Sequence, residues 1–192
     1  MIYEISYYSR IFAYIDSSNR LGLTVRNTLS ILFFYSVALL LTACDKPLFS
    51  SLPASETGIT FSNRITENDT MNIIDFEYVY NGGGTAIGDF NNDGLADIFF
   101  TGNQVSNRLY INKGDFKFDD ITEKAGVGGN GKWCSGVALV DINNDGWLDI
   151  YVGATVSKIA AKRENMLFVN QGSRNGEAPV FREMAKEYGI AD

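Results

Sequence analysis

The sequence predicts an all-β fold, a partial β-propeller of two blades with about four antiparallel strands each, after an amino-terminal signal segment. Two nearly identical loops rich in Asp, Asn and Gly, at 89–97 and 141–149, are each followed by a run of β-prone residues. These loops belong to an internal repeat, and a period near 50 residues is typical of propeller blades. A β-sandwich that carries the two loops on hairpins is the alternative, which this period disfavours.

The repeat begins after residue 81. We predict a first blade at 82–130 and a second at 131–192, and two polar insertions in the second copy, at 157–164 and 173–178, are predicted to be surface loops. Three pairs of segments match: Gly84–Asp89 with Gly136–Asp141, Asn107–Gly114 with Asn165–Gly172, and Phe118–Val127 with Phe181–Ile190.

The two loops carry the candidate metal ligands. Ca²⁺ takes about 6–8 oxygen ligands, and side chains at loop positions 1, 3, 5 and 9 can supply oxygens together with the backbone carbonyl of position 7. The predicted ligands are Asp89, Asn91, Asp93, Leu95 through its carbonyl and Asp97 in the first loop, and Asp141, Asn143, Asp145, Trp147 through its carbonyl and Asp149 in the second.

Two other interpretations of these loops are less favoured. Ordinary hairpin turns use Asn, Asp and Gly, as at Gly94 and Gly146, but they need no Asp at position 9. An EF-hand needs a Glu at position 12 between two helices. Phe100 and Val152 occupy that position here. The sequence therefore predicts two calcium sites on β-hairpins.

The composition of the chain excludes several classes of function. The chain has 192 residues, a net charge of −7 and no histidine. An acidic chain is not expected to bind a nucleic-acid backbone. Without histidine, Ser-His-Asp and Cys-His nucleophiles and His-ligated zinc are excluded. We expect a non-enzymatic protein that binds a protein or glycan ligand; a propeller lyase or hydrolase acting on polysaccharide is the alternative.

The first 43 residues are predicted to be a signal peptide region. Arg20 and Arg26 precede an apolar run, Leu29–Leu41, that is shorter than the 20 or so residues of a membrane span. The run ends in Leu-Thr-Ala-Cys44, which resembles a lipoprotein signal-peptide box. That resemblance implies cleavage before Cys44, a diacylglycerol on its sulfur and a lipid anchor in a bacterial cell envelope. A buried core cysteine is the alternative, and the true translation start stays open.

Between the signal region and the repeat, two segments are predicted. Residues 44–56 contain Pro and Ser and are predicted to be a tether. Residues 57–81 are predicted to form leading strands at Thr57–Phe61 and Ile73–Tyr80, because the second of these nearly alternates apolar and polar residues.

Further residues have structural and functional interpretations. Gly82–Gly84 lacks the context of a phosphate-binding loop and is predicted to allow close packing. Cys134 is predicted to be a small buried hydrophobe. Four aromatic residues are predicted to be core, with a carbohydrate platform as the alternative: Tyr110, Trp133, Trp147 and Tyr151.

The loop pattern Asp-x-Asn-x-Asp-Gly-x-x-Asp-Ile, within Gly-x-Ala repeats and followed by Asn-x-Leu-x-x-Asn-x-Gly, resembles FG-GAP/VCBS repeats such as those of integrin α-subunit propellers. It is closer still to the bacterial cartilage acidic protein-like, ASPIC/UnbV-associated lipoproteins. The resemblance covers 57–192, although literal Phe-Gly and Gly-Ala-Pro signatures are replaced. It implies calcium-bound blades, and because a propeller closes with about 4–8 of them, we expect a segment of a longer propeller.

Overall fold

The computed structural model describes residues 32–33, 48–173 and 178–191. The chain divides into two compact units, 1–51 and 52–192. In the first unit, Leu32 and Phe33 are helical and exposed. The rest of the predicted signal region and Cys44 lie outside the described residues. No helix in the described part of the chain is long and apolar enough to cross a membrane.

The second unit contains two four-stranded antiparallel sheets, each a simple meander in which consecutive strands pair. This confirms the predicted fold class of two propeller-type blades. In the described part of this unit, helix is limited to α1 (Ala54–Thr57), α2 (Thr122–Ala125) and a 3-10 turn (Ala160–Lys162). The first sheet consists of β1 (Thr85–Gly88), β2 (Asp97–Phe100), β3 (Arg108–Asn112) and β4 (Phe118–Asp120), and the second of β5 (Trp133–Val140), β6 (Asp149–Thr155), β7 (Met166–Asn170) and β8 (Phe181–Glu183).

Residues of both sheets form the main hydrophobic core. Strand β7 is buried along its whole length and supplies Met166 and Phe168 to this core. Its alternate residues, Leu167 and Val169, belong to a smaller cluster on the opposite side of the second sheet. The second sheet therefore has apolar residues on both faces. The main core also contains Ala86, Phe90, Phe99, Leu109, Ile111, Ala125, Val127, Cys134, Ile150, Val152 and Phe181.

Glycines allow the two sheets to approach closely. A Cβ atom at Gly84 would lie 2.8 Å from the Ser135 carbonyl oxygen and 2.9 Å from Val137 Cγ1, and one at Gly83 would collide with the Thr101 carbonyl. A side chain at Gly84 would push the two blades apart, and one at Gly83 would push the chain before β1 away from the end of β2 in the same blade. The close packing predicted for this glycine run is confirmed there.

The prediction of leading strands within residues 57–81 is wrong. Residues 57–81 contain no strand, and Ile73–Tyr80 forms successive turns. The reason is local: Asn72 Oδ1 accepts hydrogen bonds from the backbone N–H groups of Ile74 and Asp75. Such an Asx turn competes with strand pairing. Most apolar residues of this segment stay exposed, such as Ile74 at 90%, and Val79 is the one that is fully buried.

The segment around residue 60 instead covers part of the first sheet as irregular chain. The Phe61 ring stacks on Phe100 at 4.9 Å. The Thr60 N–H donates to the Tyr110 hydroxyl at 3.3 Å. Helix α1 begins after Pro53 and therefore includes the last residues of the predicted tether.

The insertion predicted at 157–164 is confirmed as a surface loop. It contains the 3-10 turn, and residues 158–163 are exposed. The insertion at 173–178 lies mostly outside the described residues.

Candidate metal loops

The two predicted metal loops connect β1 to β2 and β5 to β6. Each loop turns through two residues with positive φ, at positions 4 and 6. In the first loop these are Asn92 (φ 55°) and Gly94 (φ 85°), and in the second Asn144 (φ 57°) and Gly146 (φ 86°). Asn and Gly are the residues that adopt this conformation most readily. The sequence pattern therefore sets the course of the backbone locally.

The side chains at positions 1, 3 and 5 gather around the position-5 backbone. In the first loop, the Asp93 N–H donates to Asp89 Oδ1 at 3.1 Å and to Asn91 Oδ1 at 3.2 Å. The Gly94 N–H donates to Asp89 Oδ2 at 2.8 Å, and the Leu95 N–H to Asp93 Oδ1 at 2.8 Å. Three oxygen-bearing side chains are thereby held on one side of the turn.

The second loop repeats this arrangement. The Asp145 N–H donates to Asp141 Oδ1 at 3.0 Å and to Asn143 Oδ1 at 3.2 Å. The Gly146 N–H donates to Asp141 Oδ2 and the Trp147 N–H to Asp145 Oδ1, both at 2.9 Å. The same residue types at the same spacing have therefore produced the same loop twice.

The position-9 aspartates are fully buried and fasten each loop to its own sheet. Asp97 Oδ2 accepts the Phe90 N–H at 2.9 Å, and Oδ1 accepts the Asn112 N–H at 2.8 Å. Asp149 makes the equivalent bonds with Ile142 and Asn170, at 2.9 and 2.7 Å. Each carboxylate therefore joins the start of its loop to the end of the third strand of its blade.

Burial is the main cause that raises the pKa of these two carboxyls. The pKa of Asp97 rises to about 6, because burial and the charges of Asp93 and Asp89 outweigh its hydrogen bonds to backbone N–H groups. The pKa of Asp149 is raised for the same reasons, with burial first and the charges of Asp145 and Asp141 adding to it. Without a counter-charge, each loop thus holds its carboxylates at an electrostatic cost.

The ligand chemistry fits a hard cation better than a soft one, because every predicted ligand atom is a carboxylate, amide or carbonyl oxygen. The carboxylates are, however, turned toward backbone N–H groups, and Asn91 Nδ2 donates to Asp93 Oδ2 at 2.8 Å. Across 32–33, 48–173 and 178–191, no three Asp, Glu, His or Cys side chains form a ready-made metal cluster. Each carboxylate oxygen that accepts one hydrogen bond retains a further lone pair.

Asn170, at the end of β7, was not among the predicted site residues. Its Nδ2 donates to the Phe90 carbonyl of the first loop at 2.9 Å and to the Leu148 carbonyl of the second at 3.2 Å. Its first-blade equivalent, Asn112, donates to the Ala96 carbonyl of its own loop alone. Both blades have the pattern Asn-x-Gly at the end of the third strand, and this shared pattern could have identified Asn112 and Asn170 from the sequence.

A second contact joins the loops directly. Asn92 Nδ2, in the first loop, donates to the Gly146 carbonyl in the second at 3.2 Å. Together with Asn170, this contact links the two candidate sites through side-chain amides and backbone carbonyls. Such long-range pairs could not be read from the spacing within either loop.

Cys134 and two of the four aromatic candidates are buried in the core. Cys134 is buried, as predicted, and burial raises the pKa of its thiol to about 11. Trp133 and Tyr110 are also buried, which confirms the core interpretation for these two, whereas Trp147 is half-buried against Gly172. A cavity of about 530 Å³ lies beside the first loop, and its lining includes Lys113 and Lys124.

The fold and the loops together define a repeat protein whose four-stranded blades each carry an Asp/Asn/Gly loop between their first two strands. Residues 89–152 match the family model of the FG-GAP-like repeat. The matched segment runs from the first loop into β6, and the match agrees with the resemblance that the sequence indicated.

Two relatives support the same assignment. Over 75 residues, the chain is 43% identical to cartilage acidic protein 1 of Xenopus tropicalis and 39% identical to cartilage acidic protein 1 of Homo sapiens. Each alignment covers 38% of this chain, but only 12% and 11% of the two relatives. The aligned part of the chain thus spans about a tenth of the relatives' length.

Proposed function

We propose that this chain is a non-enzymatic, calcium-stabilised segment of a binding protein at a bacterial cell envelope, where it is anchored through lipid on Cys44 and recognises a protein or glycan. The observation that carries the calcium part is the repetition of one loop structure. Two separate segments hold Asp, Asn and Asp side chains with the same hydrogen bonds. Hairpin turns alone do not require this set of oxygens.

In the first loop, Asp89, Asn91, Asp93 and Asp97 with the Leu95 carbonyl would hold one Ca²⁺. Asp141, Asn143, Asp145 and Asp149 with the Trp147 carbonyl would hold the other. When bound, the ion supplies positive charge that offsets the repulsion among three carboxylates. Weak calcium sites suit the millimolar calcium found outside cells. The role of the chain's own residues is to pre-organise these oxygens through the backbone turns.

Calorimetric titration with Ca²⁺ tests this proposal. Saturation at about 100 times the dissociation constant should stabilise the folded chain by about 2.7 kcal/mol per site. Calcium should therefore raise the melting temperature relative to EDTA. Asp93→Ala and Asp145→Ala should each remove part of the shift, whereas Asp119→Ala, on an exposed strand outside the loops, should leave it intact. Absence of binding heat together with equal melting in calcium and EDTA would refute the calcium sites.

The lipid anchor is proposed from the apolar run and the Leu-Thr-Ala that precede Cys44. In the native bacterial host, the mature chain should begin at Cys44 and partition into a detergent phase. Cys44→Ala should abolish both properties, and the control Cys134→Ala should abolish neither. An intact amino terminus upstream of Cys44 in the mature protein would exclude the anchor.

The ligand-binding role is proposed from the repeat family and from the residues that the chain lacks. No histidine is present in the sequence to serve as a general base. Binding to panels of peptides and polysaccharides should occur without turnover of any member. Turnover that survives Asp89→Ala and Asp141→Ala would instead favour a polysaccharide lyase or hydrolase.

A further inference from the structure

The cavity beside the first loop lies between the two blades. Its volume of about 530 Å³ is within the range of about 300–1,000 Å³ that is usual for ligand sites. The first blade lines it from β3, β4 and α2, and the second blade from the segment before β8. We call it the inter-blade cavity; its lining includes Ile111, Lys113, Asp119, Ile121, Lys124 and Val180.

Three charged side chains line this cavity without an ion partner. Among the residues that the structure describes, Lys113, Asp119 and Lys124 form no salt bridge with one another or with any other side chain. Two positive charges and one negative charge therefore face one space, on a chain whose net charge is −7. An ammonium group only donates hydrogen bonds and a carboxylate only accepts them. A ligand that carries both an anionic group and hydroxyl groups would satisfy all three.

The second blade shows that an ion pair is possible at two of these positions. In the internal repeat, Asp119 corresponds to Arg182, and Lys124 corresponds in the same way to Glu187. Arg182 Nη2 and Glu187 Oε1 pair at 2.7 Å. The first blade has the same two positions with the charges exchanged, but there the two side chains do not pair. Their charges thus remain available to a ligand in the cavity.

The hairpin between β3 and β4 adds a strained aromatic residue. Asp115 and Phe116 form its tip with φ of 50° and 56°, and the Lys117 N–H closes the turn on the Gly114 carbonyl at 3.0 Å. Such turns favour Asn and Gly, and a bulky residue with positive φ is an outlier. Phe116 gains little burial in return, since it is 69% exposed. Backbone strain without a packing gain is a feature of functional sites.

We propose that the inter-blade cavity and the Phe116 ring together bind an acidic saccharide, one that carries a uronate carboxylate. Lys113 and Lys124 hold the carboxylate by charge-assisted hydrogen bonds. Asp119 accepts hydrogen bonds from sugar hydroxyls. Phe116, on the hairpin that follows Lys113, packs its ring on the apolar face of a sugar. The inference rests on the proposed binding role and narrows the ligand to one class of glycan.

Other ligands fit these groups less well. A neutral saccharide leaves both lysines without an anionic partner. An acidic peptide has few hydroxyl groups for Asp119 and no rigid apolar face for the exposed ring of Phe116. The acidic saccharide is the ligand that uses the charges, the carboxylate acceptor and the aromatic ring at the same time.

Calorimetric titration of the full chain with a glucuronan hexasaccharide tests the inference. The parent should bind it about tenfold more tightly than its carboxyl-reduced counterpart, because only the acidic form pairs with the lysines. Lys113→Gln combined with Lys124→Gln should remove this preference. Lys117→Gln, on the same hairpin but outside the cavity lining, is the matched control and should retain it. The fold should tolerate glutamine at position 113, since Gln171 is its equivalent in the second blade.

Phe116→Gly separates backbone strain from binding. Glycine adopts positive φ without strain, so this variant should raise the melting temperature by a few degrees. It should also weaken binding of the hexasaccharide roughly fivefold, because the aromatic contact is lost. Phe116→Tyr keeps the ring and should match the parent in both measurements. A merely structural role for Phe116 would leave the affinity unchanged.

Several results would overturn the inference. Equal affinity for the acidic and the reduced hexasaccharide would do so, as would an undiminished preference in the lysine double variant. Tighter binding of poly-glutamate than of either hexasaccharide would assign the cavity to an acidic peptide. A Phe116→Gly variant that melts lower or keeps the parent's affinity would remove the ring from the site. Failure of the proposed binding role gives a different result, since the peptide and polysaccharide panels would then show no binding at all, or turnover.

Discussion

The two loops share one local structure but differ in what fixes them to the rest of the molecule. Both hold their position-1 and position-5 aspartates with the same backbone bonds. The first loop, however, is also bonded by residues of the following blade, through Asn170 and the Gly146 carbonyl. The loop structure and its attachment through the position-9 aspartate are therefore properties of each blade, whereas the additional bonds of the first loop come from the next blade along the chain.

The same asymmetry appears in the apolar residue at position 2. Phe90 is fully buried, and its ring meets the edge of Phe181 from the second blade at a centroid distance of 6.2 Å. Ile142, its equivalent, is only half-buried against the smaller cluster. Each blade thus supplies a hydrophobic anchor directly inside its Asp/Asn/Gly loop, and a following blade determines how much that anchor contributes.

The largest effect should come from removing these anchors. Phe90→Ala is expected to lower the free energy of unfolding by about 3–5 kcal/mol, as for other buried aromatic residues. Ile142→Ala is expected to cost about 1 kcal/mol, because much of its surface stays in contact with water. Urea unfolding of the two variants measures the difference. Equal losses would mean that the following blade does not determine the stability of the loop it covers.

The thiol of Cys134 reports whether the two blades separate. Cys134 lies in the core shared by both sheets, and its N–H donates to the Gly102 carbonyl of the first at 3.0 Å. A thiol pKa of about 11, above the ordinary value of 9.0, reduces the thiolate fraction near neutral pH roughly a hundredfold. Alkylation by iodoacetamide at pH 8 should be slower than in the urea-unfolded chain by more than this factor, as measured by peptide mass spectrometry.

Phe90→Ala provides the comparison for that experiment. It should accelerate alkylation of Cys134 in the folded chain, because it weakens the packing between the blades. Ile142→Ala should leave the rate close to that of the parent. Rapid alkylation in the parent itself would show that the core between the sheets opens freely.

The bridging amide should have the next largest effect. Asn170 is 1% exposed, and Asn170→Ala leaves two carbonyls and the Gly172 N–H without their partner. A buried group left without a partner costs about 1–3 kcal/mol, and of these three bonds only the one to the Phe90 carbonyl is fully buried. We expect a loss of about 2–3 kcal/mol for Asn170→Ala and about 1 kcal/mol for Asn112→Ala, which is half-buried and bonds within one loop. A larger loss for Asn112→Ala would contradict the bridging role.

Much of the fold was predictable because its determinants are local. The loop residues, their spacing and the β-prone runs after them lie within a dozen residues, so the sequence predicted both hairpins and the four-stranded meanders. Ile73–Tyr80 was predicted wrongly because the Asn72 side chain bonds the following backbone and overrides the alternating pattern. The contact from Asn170 to Phe90 spans 80 residues. It depends on how the blades pack, which neither loop encodes by itself.

The smallest effect should come from removing the direct contact between the loops. The two equivalent asparagines of the loops offer a closely matched pair of variants for this test. Asn92 and Asn144 both stand at position 4 with φ near +55°, and both lie on the surface. Glycine tolerates this conformation, so Asn92→Gly and Asn144→Gly each remove a side chain without adding backbone strain. Only the first removes a bond, the one to the Gly146 carbonyl.

Because this bond is exposed, Asn92→Gly should cost about 0.5–1 kcal/mol more than Asn144→Gly in urea unfolding. Identical unfolding curves for the two variants would show that the loops behave independently and that the following blade fixes the first loop through Asn170 and the core.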